Sequence, residues 1–195
     1  MTAPRSVWEK LDVHREADIA AYRREQAARL EQVVPPRFRP LVPIPPDVLA
    51  WCETVGTGAC SVLLLVGPVG TGKTHLAWQV ARHLAPQVGR TVVQTADQFA
   101  AGARGDGSAQ TAGAYLEHLS RASLLVLDDL GAQTLTAWVS DAVFRVVDAR
   151  YQHLLPMVLT SNVPDLRSLL GERTASRLAE QLHVVPVVGP DRRRA

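Results

Sequence analysis

No uninterrupted apolar run in this chain approaches the roughly 18 residues that a membrane-spanning helix needs, which excludes a span of that kind. Residues 1–10 lack the apolar centre of a secretory signal. Cysteine is almost missing: Cys52 and Cys60 stand eight apart with no third cysteine, too few for a metal set. They read as reduced structural thiols, so a cytoplasmic location is expected. The six histidines show no ligand spacing either. Strong charge of one sign is absent too, the net charge being +2 over 195 residues. Its distribution is uneven, with eight Lys/Arg against six Asp/Glu in residues 1–40, seven against ten in 41–166 and six against three in 167–195. An acidic middle between basic ends argues against a general polyanion binder. Any nucleic-acid contact is expected to be local, and most single arginines to be solvated. What is plentiful is apolar side chain, 47% of residues, enough for one substantial core with a short appendage.

Glycine and proline are missing from residues 7–34, a stretch rich in helix formers. Trp8, Ile19 and Leu30 recur every eleven residues, as do Leu11, Tyr22 and Val33, so all six fall on one sparse stripe of a long helix. Two readings stay open: a helix folded back on the core, or an arm that docks a partner protein through that stripe. Six prolines in residues 35–46 then rule out regular helix and predict stiff extended chain. Within it, Arg37-Phe38-Arg39 reads either as a platform for a purine or as a simple strap. Asp47 is expected to N-cap a helix through Trp51 that ends near Gly56 and Gly58.

Beyond residue 61, apolar runs at 61–66, 91–94, 124–127, 157–160 and 184–188 alternate with helical stretches at about 74–85, 96–103, 112–121, 136–153 and 165–182. Five short buried strands separated by helices predict an α/β fold with a doubly wound five-stranded parallel sheet. Ligands in such sheets sit at the carboxyl ends of the strands.

The motifs fall there. Gly67-Pro68-Val69-Gly70-Thr71-Gly72-Lys73-Thr74 joins the first strand to a helix, the context a phosphate-binding loop requires. Its glycines let backbone N–H groups turn toward a phosphate, and the helix N-terminus adds its dipole to the same anion site. Lys73 would reach the β- and γ-phosphates, and the Thr74 hydroxyl would bind Mg²⁺. Leu124-Leu125-Val126-Leu127-Asp128-Asp129 ends a strand in two acids, Asp128 to hold Mg²⁺ through its water shell and Asp129 to orient or deprotonate the attacking water. Asn162, closing Leu159-Thr160-Ser161-Asn162, is placed to bond the γ-phosphate or the lytic water. Arg173 and Arg177 stand four apart on one helical face, where a guanidinium could reach a neighbouring subunit's γ-phosphate. Gly189-Pro190-Asp191 with Arg192, Arg193 and Arg194 offers a cation after the last strand, or a frayed basic tail.

In this order, Gly-Pro-x-Gly-Thr-Gly-Lys-Thr, Leu-Asp-Asp-Leu-Gly, Thr-Ser-Asn, Gly-Glu-Arg-x-x-Ser-Arg-Leu and Gly-Pro-Asp-Arg-Arg resemble the DnaC/DnaI/IstB group of AAA+ ATPases. That group holds replicative helicase loaders and their transposition relatives. The likeness covers about residues 34–194, including Pro-Pro-Arg-Phe at 35–38. The first two motifs are common to very many ATPases; the last three in this order are far more specific.

The resemblance implies a P-loop AAA+ domain at 47–195, a Pro-rich linker at 35–46 and a helical partner-binding arm at 1–34. It implies an ATPase with ATP and Mg²⁺ as cofactors, working as a loader that delivers a replicative helicase onto single-stranded DNA. Homo-oligomers would form on ATP binding or on the partner. Alternatives are an IstB-like helper of a transposase and a non-hydrolysing ATP-binding regulator; a small-molecule kinase lacks any lid or acceptor-pocket signature. The nucleotide set is residues 67–74 with His75 and, as second sensor, Arg193; Arg177 is the trans-acting finger and Arg173 its companion. Residues 95–121 correspond to an additional helix pair that lines a DNA path in initiators and loaders. Here Arg104 and Arg121 are offset by Asp97, Asp106 and Glu117, so only weak single-strand contact is expected, around a mobile Gly-rich stretch at 102–113. Two departures stand out: Asp129 where many AAA+ enzymes have Glu, and only residues 1–34 left to bind a helicase.

Overall fold

The computed structural model describes residues 7–57, 62–105, 112–131 and 136–191, with side chains from Arg15 onward except Leu166 and Leu169. Helix α1 (Val7–Val33) leads through a 3₁₀ turn (Pro36–Phe38) and an extended strap to α2 (Pro46–Thr54). Then follow β1 (Val62–Val66), α3 (Lys73–Val88), β2 (Thr91–Thr95), α4 (Ala96–Arg104), α5 (Ala112–Ser120) and β3 (Leu124–Leu130). The described chain closes with α6 (Ala137–Gln152), β4 (Met157–Ser161), α7 (Leu166–Leu170), α8 (Glu172–Ala179) and β5 (Leu182–Pro186).

The strands form one parallel sheet in the order β2-β3-β4-β1-β5. Side chains alternate across it. Val62, Leu64, Leu125, Leu127 and Leu159 pack with Phe99, Leu119, Val143, Val146 and Leu178 of α4, α5, α6 and α8 on one face. Leu63, Leu65, Leu124, Val126 and Val158 pack with Trp51, Val80 and Leu84 of α2 and α3 on the other. Burial on both faces is why the strands read as continuous apolar runs rather than as alternation. Because β4 lies between β1 and β3, the loops after these three strands converge at one end of the sheet.

Three local expectations need correction. Helix α2 starts at Pro46 with Pro45 as its cap; proline serves at N1 because its missing N–H would be unpaired there. Asp47 sits inside the first turn, its Oδ1 2.9 Å from the Val48 N–H. The helix expected over 165–182 is split at Gly171, whose φ of +81° no helix accommodates, into α7 and α8. The last strand starts at Leu182, not Val184, because its register is set by β1: Val62 opposes Leu182 and Val66 opposes Pro186.

The first helix is fastened to the core through its C-terminal turns. Leu30 and Val34 are buried against the α2–α3 layer, and Glu31 pairs with Arg82 of α3 at 2.6 Å. Upstream, Ile19 and Tyr22 remain 43% and 48% exposed; the side chains of Trp8 and Leu11 lie outside the described ones. The Pro-rich segment is a strap laid along α3. His75 Nε2 lies 2.8 Å from the Pro40 carbonyl, Gln79 donates to the Phe38 and Pro40 carbonyls, and Arg82 donates to Arg39 O. His75, Gln79 and Arg82 follow an i, i+4, i+7 pattern, so one polar face of α3 fastens the strap.

Arg150 of α6 is fully buried. Its NH1 donates to the carbonyls of Leu119 (2.8 Å) and Ala122 (2.7 Å), and its NH2 to Pro156 O (2.6 Å), tying the end of α5 to the starts of β3 and β4. Burial pushes its pKa down to about 9, which still leaves it protonated at neutral pH. Buried Cys52 is pushed up to about 11 by the same desolvation, as suits an inert structural thiol; Cys60 lies outside the described residues.

Candidate nucleotide site

The loop between β1 and α3 surrounds a cavity of about 690 Å³ lined by Gly70, Lys73, Thr74, Asp128, Asp129, Thr160 and Asn162 among others. Lys73 is buried, and its Nζ donates to Gly67 O (2.8 Å), Pro68 O (2.8 Å) and Asn162 Oδ1 (2.7 Å). Three acceptors hold the ammonium at the loop mouth, and one of them comes from the residue just after β4, the strand paired with β1. Loop, strand-end acids and Asn162 are therefore brought together as the motif order suggested.

Asp128 and Asp129 are adjacent in sequence and opposite in environment. Asp128 is buried; the Thr74 hydroxyl lies 3.0 Å from each of its carboxylate oxygens, and Thr160 donates to Oδ1 at 2.6 Å. Burial raises the Asp128 pKa, and the hydrogen bonds from Thr160 and Thr74 pull it back. Asp129 is exposed, with φ of 62°, where the β3–β4 register shifts between Leu127 and Leu130. That irregularity turns its side chain out of the strand alternation while its N–H donates to Thr160 Oγ1 at 2.8 Å. Thr160 thus links both acids. It stood in the quoted Thr-Ser-Asn run, yet only the cross-strand geometry shows its part. A hydroxyl and a buried carboxylate side by side are the hard oxygen pair that Mg²⁺ takes beside phosphate oxygens and water, and a dication would offset the cost of burying the Asp128 charge.

A second feature escaped the sequence reading. Beside the loop lies an apolar pocket of about 340 Å³ lined by Val42, Pro43, Pro45, Thr71, Leu76 and Val187. Arg37-Phe38-Arg39 do not line it; Phe38 instead packs against His75, ring centroids 5.7 Å apart. Arg37 and Phe38 do line the larger cavity at the phosphate loop, so the contacts leave both readings of 37–39 open. His75, expected in the nucleotide set, does border the larger cavity, but its ring nitrogen is engaged by Pro40. After β5 the chain crosses the loop: a Cβ on Gly70, whose φ is +83°, would overlap the Asp191 carboxylate. Arg192, Arg193 and Arg194 lie outside the described residues.

Arg173 and Arg177 belong to a different edge. Both are exposed on α8 and both reach back to α6: Arg173 lies over the Phe144 ring at 3.8 Å, and Arg177 Nε approaches Asp148 Oδ1 at 3.1 Å. Neither arginine lines the cavity at the phosphate loop.

A parallel sheet in this order, with a phosphate loop after β1, paired acids at the end of β3 and Asn162 after β4, defines a P-loop ATP-binding protein of the AAA+ type. The family described as IstB-like ATP binding protein matches residues 48–194, and the chain belongs to it. Over 128 residues it is 31% identical to the replicative helicase loader DnaC of Escherichia coli K12, covering 62% of this chain and 51% of that protein. The chain thus spans about half the length of this relative. The crystal structure of the DnaC helicase loader superposes with a TM-score of 0.62 at 21% identity, over 77% of this chain and 96% of that one. The replication initiator DnaA bound to AMPPCP and single-stranded DNA superposes at 0.63 and 22% identity, over 72% and 44%. At such identities these structures speak for the fold. Among the described residues no helix is long and apolar enough to cross a membrane.

Proposed function

We propose that this chain is an ATP-dependent loader that delivers a replicative DNA helicase onto single-stranded DNA, with ATP bound and hydrolysed between subunits as the switch. The observation that supports the reading is an α1 anchored on the ATPase core through Leu30, Glu31 and Val34 that still leaves Ile19, Tyr22 and Val33 of its stripe 43%, 48% and 65% exposed, in a chain similar to DnaC. In this reading residues 1–34 are the partner arm, 35–46 the linker and 47–195 the ATPase domain.

Lys73 exchanges its carbonyl and Asn162 partners for the β- and γ-phosphates, which frees Asn162 to orient the γ-phosphate or the lytic water. Thr74 and Asp128 would hold Mg²⁺, which supplies charge neutralisation across the phosphates. Asp129, exposed at the cavity, orients the attacking water, and its shorter side chain suits a slow switch. The purine lies against Val42, Pro43 and Val187, the apolar pocket beside the loop. Arg177 acts in trans on the neighbouring subunit's triphosphate with Arg173 beside it, so homo-oligomers form on ATP or on the partner. Arg193 serves as second sensor. The α4–α5 pair makes weak single-strand contact through backbone and few cations.

A second reading, an IstB-like helper of a transposase, is favoured by the family match itself. The two separate by partner. Full-length chain, with ATP·Mg²⁺, is passed over size-exclusion chromatography with light scattering alongside the replicative helicase, next to an I19S/Y22S variant. A complex made by the wild type and lost in the variant supports the loader; no complex in either case moves the weight to the transposase. Absence of any ATP turnover in the assembled state would leave only a non-hydrolysing regulator.

A further inference from the structure

Helix α6 carries Phe144, Asp148 and Tyr151 at i, i+4 and i+7, hence on one face, and α8 lays both of its arginines across that face. Arg173 sits 3.8 Å above the Phe144 ring. Arg177 sits 5.4 Å above the Tyr151 ring, with Nε 3.1 Å from Asp148 Oδ1. Asp148 is itself fixed, its Oδ2 accepting from Gln152 Nε2 at 2.8 Å. Its Oδ1 is buried without an aligned hydrogen bond, so Arg177 is held there as an ion pair. Glu180, the acid next to Arg177 in the hollow these residues line, is taken by the Tyr151 hydroxyl. Glu172 lies 3.7 Å from Arg167. The Arg177 side chain remains 49% exposed.

We propose that Phe144, Asp148 and Tyr151 are positioning residues that hold Arg173 and Arg177 as a pre-aimed pair for the triphosphate in a neighbouring subunit's site. This rests on the trans-acting role given to Arg177 above. An unrestrained arginine loses much rotamer freedom when it engages a phosphate; one already held at Nε and by a ring face has lost part of it beforehand. Gly171 separates the helix that carries the pair from α7, with Arg173 in its first turn and Arg177 in its last.

The test uses full-length chain assembled with ATP·Mg²⁺ on its partner ring. For D148N, turnover per site is expected to fall about 10- to 100-fold, the cost of a misplaced catalytic group, with nucleotide affinity and thermal midpoint unchanged. Mixing then locates the defect. D148N mixed with K73A should regain activity, because K73A subunits offer a sound arginine edge to the sound phosphate site of D148N. D148N mixed with R177A should not. Turnover of D148N at or above wild type, or equal rescue by both mixtures, overturns the proposal. Should D148N fail to fold, F144L, which removes the ring beneath Arg173 at similar volume, must give the same mixing pattern. If R177A itself hydrolyses like wild type, the trans-acting reading falls and this proposal with it. If R177A is inactive and D148N is normal, only the positioning role falls.

Discussion

The phosphate-loop edge and the α8 edge are built in opposite ways. At the loop, Lys73, Asp128 and Thr160 are buried and joined by hydrogen bonds of 2.6 to 3.0 Å that knit β1, β3 and β4 together. At α8, two exposed arginines rest on ring faces and one carboxylate. A buried polar network persists only when each member is satisfied, so the first edge is complete within one chain. An exposed cation held on one side is available to a second acceptor. The contrast suits a site whose binding half is intramolecular and whose acceleration comes from another copy.

Replacing Lys73 by Ala should break the first edge altogether: hydrolysis falls ~10³-fold or more and nucleotide binding weakens in the isolated chain, read by fluorescent-nucleotide titration. Under the proposed trans-acting role, replacing Arg177 by Ala should leave that titration unchanged while assembled turnover drops about 10³-fold. Equal loss of binding in both variants would erase the distinction between the edges. The smallest effect belongs to T160V. Losing the hydroxyl that links Asp128 to the Asp129 N–H should cost about 1 kcal/mol in denaturant unfolding and about tenfold in turnover, with affinity retained.

The loop edge was largely legible from sequence because its chemistry is local. Gly67 to Thr74 must follow a strand and open a helix, and eight consecutive residues say so. Asn162 and the paired acids were legible as strand ends, since apolar runs buried on both faces stop where polar side chains begin. The different fates of Asp128 and Asp129 were not, because they depend on a register shift against β4. Thr160 and the pocket of Val42, Pro43 and Val187 stayed hidden for the same reason: their partners are distant in sequence. His75, expected with the nucleotide, borders the cavity, and the contact of its ring nitrogen with the Pro40 carbonyl was not legible because Pro40 is distant in sequence. Arg150 gave no signal at all, since a guanidinium whose terminal nitrogens donate to backbone carbonyls needs no acidic partner, although its Nε stays buried without one.

Sequence alone determined the sheet, the phosphate loop and the family, since strand burial and backbone approach to a phosphate restrict which residue types can occupy each position. Only the tertiary structure decided which residues of α1 are buried on the core, which of two neighbouring acids is buried, and what the α8 arginines rest on. Each of these is a contact between segments far apart in the chain, and its energy depends on geometry that local residue preference does not encode.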